Sequence, residues 1–304
     1  GKFDEGWDVI RQRRIRRMLS LGLIDDRWLL SERDENIELW DSLSQQQKDF
    51  LLPMMEVYAG MIDRLDQNIG RLVENLKANN ELENTLIMFF SDNGACPYNR
   101  LRGKGTKVPP GGPESDYAYD ARWANMCNAP LRLYKQYAHH GGTLTPMIVH
   151  WPKGIQTGGQ VIRSPGHLVD IMPTILDAAD SSYPKTNRRE PIPKMQGVSL
   201  LPLFQGANTQ TRPPIFWEFS GHHAIRDGDW KLVAQRGQDW ELFNVSQDPC
   251  ETKNLAASHA EIVSRMQQQY NDWAKRVSAK QHQRCKAMKP NKQSQLFDLK
   301  ALLQ

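Results

Sequence analysis

The feature that most restricts the fold is a short apolar run that ends in polar residues. Thr85–Phe90 is almost continuously apolar, with the length and composition typical of a buried parallel strand. The next four residues, Ser91-Asp-Asn-Gly94, all favour turns. Polar side chains at the carboxyl end of a buried strand mark the place where open α/β sheets bind ligands. The sequence therefore predicts an α/β fold with a ligand site that begins near Asp92.

Helices and a second strand surround this run. Apolar residues recur at three- and four-residue steps from about Gln45 to Lys77, which predicts a long helix that stops at Asn79-Asn80. A basic amphipathic helix is predicted for Gly6–Leu21. Pro146–Pro152 is predicted to form a second short buried strand, and Gly166–Ala179 a further helix.

The sequence pattern changes near residue 210. Short strands separated by turn residues are predicted from there on, at Ile215–Phe219, Ala224–Arg226, Trp230–Ala234 and Trp240–Phe243. A last helix is predicted from about Ser258 to Val277. We therefore expect an α/β segment over residues 1–210, a small antiparallel sheet with a helix over 211–280, and a polar basic tail over 281–304.

Charge and cysteine content exclude several classes of protein. No run approaches the roughly 18 apolar residues that cross a bilayer, so no membrane span is predicted. The net charge is only +4 and the basic residues are scattered, which argues against a nucleic-acid partner. The four cysteines, Cys96, Cys127, Cys250 and Cys285, form no Cys-x-x-Cys pair, so neither a zinc site nor a redox pair is indicated.

Two segments contain residues suited to binding an anion and a metal. Asp92 and Asn93 offer the hard oxygen donors that calcium prefers, although an Asp-Asn-Gly turn is an equally ordinary use of them. Lys135 is a compact cation able to hold a sulfuryl or phosphoryl oxygen, or it is a plain surface lysine. His139 and His140 follow it, and each suits a metal ligand, a proton carrier or a polar loop.

Several blocks of the chain together resemble the type I sulfatases. They keep that family's order from about residue 3 to 255. The blocks are Val57–Arg71, Asn84–Gly94, Pro130–Lys135 with His139 and Gly141-Gly142, Thr145–Pro152, His167–Thr174, Gly197–Pro202, Phe216–Glu218, Ala224–Leu232 and Trp240–Phe243.

The resemblance implies a fold and a site. It implies part of an alkaline-phosphatase-like central sheet with a small C-terminal antiparallel-sheet domain, residues 1–210 being the C-terminal part of the catalytic α/β domain. Asp92 and Asn93 would be two of the ligands of a Ca2+ ion. Lys135 would be catalytic through contact with the sulfate ester, and His139 would bind substrate. The substrate would be a small sulfate ester or a sulfated glycan, and the location periplasmic or secreted.

The chain also departs from the family pattern. His140 stands where the family more often has Glu, and the formylglycine motif Cys/Ser-x-Pro-x-Arg that supplies the nucleophile is absent. Cys96–Arg100 has its proline one residue too early, so we interpret Cys96 as a loop residue. Arg102 and Lys104 either line the substrate entrance or are simply solvated.

We expect the isolated chain to show no meaningful turnover. Two other functions stay open from the sequence. One is a phospho- or phosphonate-ester hydrolase of the same superfamily, and the other is a non-catalytic relic or sulfated-glycan-binding module.

Overall fold

The computed structural model describes residues 1–99, 108–156, 158–207, 210–277 and 296–299. The chain divides into two compact units. The first contains Gly1–Asn68, Asn93–Thr145 and Phe216–Gln304, and the second contains Ile69–Asp92 and Pro146–Ile215. Arg102, Lys104, Cys285 and most of the predicted tail lie outside the described residues. The predicted division near residue 210 stays a prediction.

The described chain contains seven α-helices and eight strands. The helices are α1 (Gly6–Ser20), α2 (Gln45–Ala78), α3 (Ala121–Cys127), α4 (His140–Thr143), α5 (Ile171–Ala178), α6 (Leu201–Phe204) and α7 (Ala260–Arg276). The strands are β1 (Ile87–Phe90), β2 (Met147–His150), β3 (Thr186–Asn187), β4 (Glu190–Pro191), β5 (Ile215–Phe219), β6 (His222–Asp227), β7 (Trp230–Ala234) and β8 (Glu241–Asn244). Among the described residues, no helix is both long and apolar enough to cross a bilayer.

Three tryptophans hold the helices of the first unit together. The ring of Trp7 in α1 meets the rings of Trp40 and Trp123 edge-on, at centroid distances of 4.8 and 5.3 Å. Trp123 in α3 is fully buried, and its indole N–H donates to the carbonyl of Leu51 in α2 over 3.0 Å. Edge-to-face contacts of this kind add to the stability gained by burying the rings. The cluster therefore fixes α1, α2 and α3 against one another.

The predicted small antiparallel sheet is confirmed. Its strands lie in the order β5-β6-β7-β8, with antiparallel pairing of β6 to β7 and of β7 to β8. Ile225, Leu232 and Leu242 stand opposite one another in neighbouring strands and are fully buried. They pack against Met266 and Tyr270 of α7. Each such buried side chain contributes about 1.5–3 kcal/mol, an upper estimate that the unfolded chain's own compactness reduces.

The prediction of a buried parallel strand at Thr85–Phe90 was wrong in two respects. In the second unit β1 pairs with β2 in the antiparallel direction, with Phe89 opposite Ile148. Only one face of the pair is covered, where Met88 and Val149 pack with Leu200 and its neighbours. Phe89 and Ile148 are 43% and 64% exposed. A continuous apolar run fits burial on two faces, but the described chain supplies a covering layer for only one.

Candidate active site

Backbone hydrogen bonds join the two segments that the sequence selected. The N–H of Gly94 donates to the carbonyl of Gly142 over 3.2 Å, and the N–H of Lys135 donates to the carbonyl of Ala95 over 3.0 Å. Both contacts lie inside the first unit. The turn that follows β1 is therefore attached to both ends of the Lys135–Gly142 segment, although about forty residues separate them in sequence.

Asn128 is the side chain that completes this junction. Its Oδ1 accepts from the N–H of Ala95 over 3.0 Å, and its Nδ2 donates to the carbonyls of Leu133 (2.9 Å) and Gly141 (2.6 Å). One amide thus satisfies three backbone groups on three turns. Sequence reasoning missed Asn128, because a lone asparagine in a loop carries no signal of its distant partners. We call the segments 93–95, 128–135 and 139–142, which the side chain of Asn128 joins, the site scaffold.

Three of the four predicted site residues lie on the site scaffold. Asn93 and Lys135 are half-buried, and His139 occupies the N-cap position of α4 without a side-chain capping hydrogen bond. The ammonium of Lys135 lies 5.9 Å from the centre of the Tyr98 ring, a cation–π distance. Asp92 is exposed and belongs to the second unit, one peptide bond before Asn93.

The His139 ring is buried and held by a residue from the small sheet. Its Nε2 lies 2.8 Å from Oε2 of Glu241 in β8, and Oε1 of Glu241 accepts from Arg132 at 2.8 Å. Burial alone would raise the pKa of Glu241, but the hydrogen bonds from His139 and Arg132 hold that pKa below its usual value. Because the carboxylate only accepts, Nε2 carries the proton, and the buried Nδ1 has no hydrogen-bond partner among the described residues. A substrate-binding role for His139 stays a prediction.

His140, the departure from the family pattern, lies in a buried polar network. Its backbone N–H donates to Oε2 of Glu251 over 2.6 Å, and its Nδ1 lies 2.8 Å from the carbonyl oxygen of Pro249. Burial, reinforced by the positive charge of Lys231, lowers the pKa of His140 to about 3. The nearby pair Lys231–Glu251 is fully buried, with Nζ and Oε1 2.7 Å apart. His140 therefore anchors the start of α4 as a neutral imidazole.

The cysteines that the structure describes are all free thiols. Cys96 lies in a loop, in agreement with its interpretation as a loop residue. Burial raises the pKa of Cys127 to about 11 and that of Cys250 to about 12. Since the thiolate is the nucleophilic form, neither buried thiol is activated at neutral pH.

The assignment of Asp92 and Asn93 as calcium ligands stays a prediction. Together they offer only a few of the roughly six to eight oxygen donors that calcium takes. Across the described parts of the chain, no three His, Cys, Asp or Glu side chains gather into a metal-binding group. These two residues therefore suit part of a calcium shell, and the described chain does not complete one.

A separate cleft of about 520 Å³ opens elsewhere in the first unit. Trp230, Lys253, His259 and Arg27 are among the residues that line it, and no residue of the predicted site does. The predicted site is therefore defined by the hydrogen-bonded site scaffold rather than by this cavity.

Gly94 is a position at which the site scaffold has no room for a methyl group. A Cβ at Gly94 would lie 1.7 Å from the carbonyl oxygen of Gly141, a backbone atom that cannot swing away. We expect Gly94→Ala to lower the free energy of unfolding by about 1–3 kcal/mol, as measured by urea denaturation. Gly60→Ala is the matched control. Its Cβ meets nothing within 4 Å in helix α2, so a gain of about 0.5–1 kcal/mol is expected. Equal effects at both positions would contradict the packing described here.

Comparison with known proteins identifies the family to which this chain belongs. The Sulfatase family model matches residues 24–181, and the model described as N-sulphoglucosamine sulphohydrolase, C-terminal, matches residues 132–276. The chain belongs to the sulfatase family, and the resemblance stated from the sequence is confirmed.

The relatives show how much of a sulfatase this chain covers. The chain is 34% identical over 289 residues to an uncharacterized sulfatase of Schizosaccharomyces pombe, covering 88% of this chain and 51% of that protein. It is 32% identical over 220 residues to an arylsulfatase of Klebsiella aerogenes, covering 66% of this chain and 45% of that one. The chain thus spans about half the length of the curated relatives that it matches.

A solved structure supports the fold. The crystal structure of Ps i-CgsB matches with a TM-score of 0.56 at 23% identity, over 88% of this chain and 54% of that chain. The predicted fold class, part of an alkaline-phosphatase-like α/β fold with a small antiparallel sheet, is confirmed.

Proposed function

We propose that this chain supplies one wall of the active site of a sulfuric ester hydrolase of the arylsulfatase type. The observation that carries the proposal is the site scaffold, which hydrogen-bonds the turn containing Asn93 to the backbone of Lys135. A lysine and an oxygen donor held on one rigid junction are suited to an anionic ester beside a divalent cation. Small sulfate esters and sulfated glycans are the substrate classes that fit this chemistry.

Asp92 and three residues of the site scaffold, Asn93, Asn128 and Lys135, each have a part in this proposal. The ammonium of Lys135 holds a sulfuryl oxygen and offsets the charge that builds on it as the ester bond breaks. Asp92 and Asn93 would be two of the calcium ligands, and calcium, when bound, would supply Lewis-acid polarisation of the sulfate ester. Asn128 holds the Lys135 and Asn93 segments in a fixed arrangement. Because the two segments are already ordered, substrate binding does not have to order them.

The proposal gives His139 a contact with substrate that its hydrogen bonding supports. Nε2 is committed to Glu241, and no described residue hydrogen-bonds the buried Nδ1. A buried polar atom without a partner costs about 1–3 kcal/mol. A substrate hydroxyl that hydrogen-bonds Nδ1 would recover that energy, with Glu241 fixing the orientation of the ring.

Lys135→Ala tests the proposed role of the lysine. The 304-residue chain alone is expected to show no turnover of an aryl sulfate, because it contains no formylglycine motif. We therefore propose to graft it into the arylsulfatase of Klebsiella aerogenes in place of the matched region. The graft is expected to hydrolyse an aryl sulfate, and Lys135→Ala is expected to reduce kcat by at least about 100-fold, as for other groups that stabilise transition-state charge.

The control and the contrary outcomes separate the remaining functions. Lys153→Ala removes an exposed lysine outside the site scaffold and is expected to leave kcat within about twofold. A graft that prefers phosphate or phosphonate esters to sulfate esters would favour the phospho-ester hydrolase. Multiple turnover by the isolated chain would contradict the expectation that it lacks a complete active site. Binding of a sulfated sugar by the isolated chain, with a folded but inactive graft, would favour the non-catalytic binding module.

A periplasmic or secreted location stays a prediction from the family resemblance. Cell fractionation of the source organism with an antibody against this chain would test it. Recovery in the cytoplasmic fraction would contradict it.

A further inference from the structure

A four-residue segment near the end of the described chain packs into the core of the first unit. Residues 296–299 include Phe297 and Leu299, each 4% exposed, in the same hydrophobic cluster as the three tryptophans. The ring of Phe297 meets the ring of Phe50 edge-on, with 5.6 Å between the ring centres. The family models match the chain only as far as residue 276, so this segment lies beyond the region that they cover. Since buried apolar side chains hold a segment in place, we call residues 296–299 the strap.

The strap is hydrogen-bonded to the start of helix α3. The backbone N–H of Phe297 donates to Oδ2 of Asp120 over 3.1 Å, and Oδ1 of the same carboxylate accepts from the N–H of Arg122 over 3.0 Å. Asp120 is fully buried and is the N-cap residue of α3. A capping side chain satisfies N–H groups that the first turn of a helix leaves without partners. The strap therefore shares a buried carboxylate with the helix that ends directly before Asn128.

The strap also holds the loop that follows the first segment of the site scaffold. The carbonyl of Leu296 accepts from Nδ2 of Asn99 over 2.8 Å. Asn99 directly follows Tyr98, whose ring centre lies 5.9 Å from the ammonium of Lys135. The same loop begins at Ala95, whose carbonyl accepts from the backbone N–H of Lys135. The loop therefore contacts Lys135 at its start and through the Tyr98 ring, and the strap anchors its far end.

A lysine needs neighbours to keep its ammonium in one place, because its four-carbon stem is flexible. The ring of Tyr98 is such a neighbour, through a cation–π contact. Residues 95–99 form neither helix nor strand, and a loop of this kind is mobile unless other parts of the chain hold it. The hydrogen bond from Asn99 to the strap supplies that hold.

We propose that the strap is a positioning element for Lys135. Through Asn99 it holds the loop, and the held loop keeps the ring of Tyr98 against the lysine ammonium. Asn99 and the strap act through Tyr98 and Lys135, so they are positioning residues and not catalytic ones. Any effect on catalysis rests on the proposed role of Lys135, whereas the positioning of its ammonium does not.

Asn99→Asp tests the proposal on the whole 304-residue chain, without turnover. Aspartate has the shape of asparagine but places a carboxylate opposite the carbonyl of Leu296, so the hydrogen bond is lost. We expect sulfosuccinimidyl acetate to label the Lys135 amine about three- to fivefold faster, the factor that corresponds to losing a cation–π contact at an exposed site. Mass spectrometry of the peptide that contains Lys135 gives the rate.

Tyr98→Leu separates a positioning role from a general loosening of the fold. It removes the ring itself, so it is expected to raise the labelling rate of Lys135 by the same factor. The double variant Tyr98→Leu/Asn99→Asp is expected to give no further rise, because both changes remove the same contact. Asn99→Gln keeps an amide donor and is expected to label within about twofold of the wild type.

Two controls make the result specific to the strap. Lys153 in the same samples is the internal reference, since it is exposed and lies outside the site scaffold. Phe297→Ala weakens the packing of the strap and is expected to raise the labelling rate of Lys135 as well. Phe219→Ala changes an exposed phenylalanine of β5 and is expected to leave that rate unchanged.

Three outcomes would overturn the proposal. They are an unchanged labelling rate of Lys135 in Asn99→Asp, an equal rise at Lys153, and effects of Tyr98→Leu and Asn99→Asp that multiply in the double variant. The readout is labelling and not turnover, so the proposal and the proposed activity fail separately. A graft whose kcat survives Lys135→Ala would refute the activity, and the labelling rates would still decide whether the strap positions the lysine.

Discussion

Glu251→Gln is expected to lower the free energy of unfolding by about 3–5 kcal/mol, the usual cost of leaving one charge of a buried ion pair without its partner. Lys231 and Glu251 are both fully buried, and Nζ of the lysine lies 2.7 Å from Oε1 of the glutamate. Burial alone raises the pKa of Glu251, but Lys231 and His140 hold that pKa well below its usual range. The same carboxylate accepts from the backbone N–H of His140, so the start of α4 loses a charged partner as well.

Urea denaturation of three variants measures this effect. Arg265→Gln is the control, because its ion pair with Asp227 is half exposed and removing it is expected to cost less than about 1 kcal/mol. The double variant Lys231→Met/Glu251→Leu replaces both charges by apolar side chains of similar size. It is expected to recover most of the loss, since the desolvated charge is gone. A Glu251→Gln variant as stable as Arg265→Gln would contradict a buried ion pair at this place.

Acid is expected to begin destabilising the protein at pH values well above the pKa of its carboxylates. His140→Asn is expected to reduce this dependence of stability on pH. Burial holds the pKa of His140 at about 3, against an ordinary value of 6.5. Between these two pH values the unfolded chain takes up a proton at this side chain and the folded chain does not. The contribution of His140 to the free energy of unfolding is therefore fully present above about pH 6.5. It is lost as the pH decreases toward 3. The loss is about 1.4 kcal/mol per pH unit within that window.

Denaturation midpoints between pH 4 and pH 8 give the slope. Asparagine keeps a donor near the position of Nδ1, within reach of the carbonyl of Pro249, but it cannot be protonated. His140→Asn is thus expected to lose most of the slope that this residue causes. A residual slope is expected from His222, since burial lowers its pKa to about 4. His150→Asn, an exposed position at the end of β2, is the control. Identical slopes for the wild type and His140→Asn would show that His140 is already protonated in the folded protein.

Local pattern was sufficient for the longer helices and for the small sheet, but it did not predict the short helices α3, α4 and α6 or the β3–β4 pair. Helix α2 was predicted from about Gln45 to Lys77 and runs from Gln45 to Ala78, because the helical period of its apolar residues is a property of adjacent turns. The four strands of the small sheet were predicted for the same reason, from their composition and from the turns between them. The order of short blocks also identified the family, since each block is contiguous in sequence.

Pairing and burial over long range were decided by the tertiary structure alone. The antiparallel pairing of β1 with β2 joins residues about sixty positions apart, and nothing within either strand encodes its direction. Asn128, Glu241 and Glu251 carry no local signal, yet each hydrogen-bonds a segment that the sequence had selected. Hydrogen bonds and ion pairs depend on a few ångströms of separation, and that separation exists only after the chain has folded. The sequence by itself thus determined the longer elements and the family, and it selected candidate residues whose roles stay predictions. The fold decided which side chains hold them in place, because only folding brings distant polar groups within bonding distance.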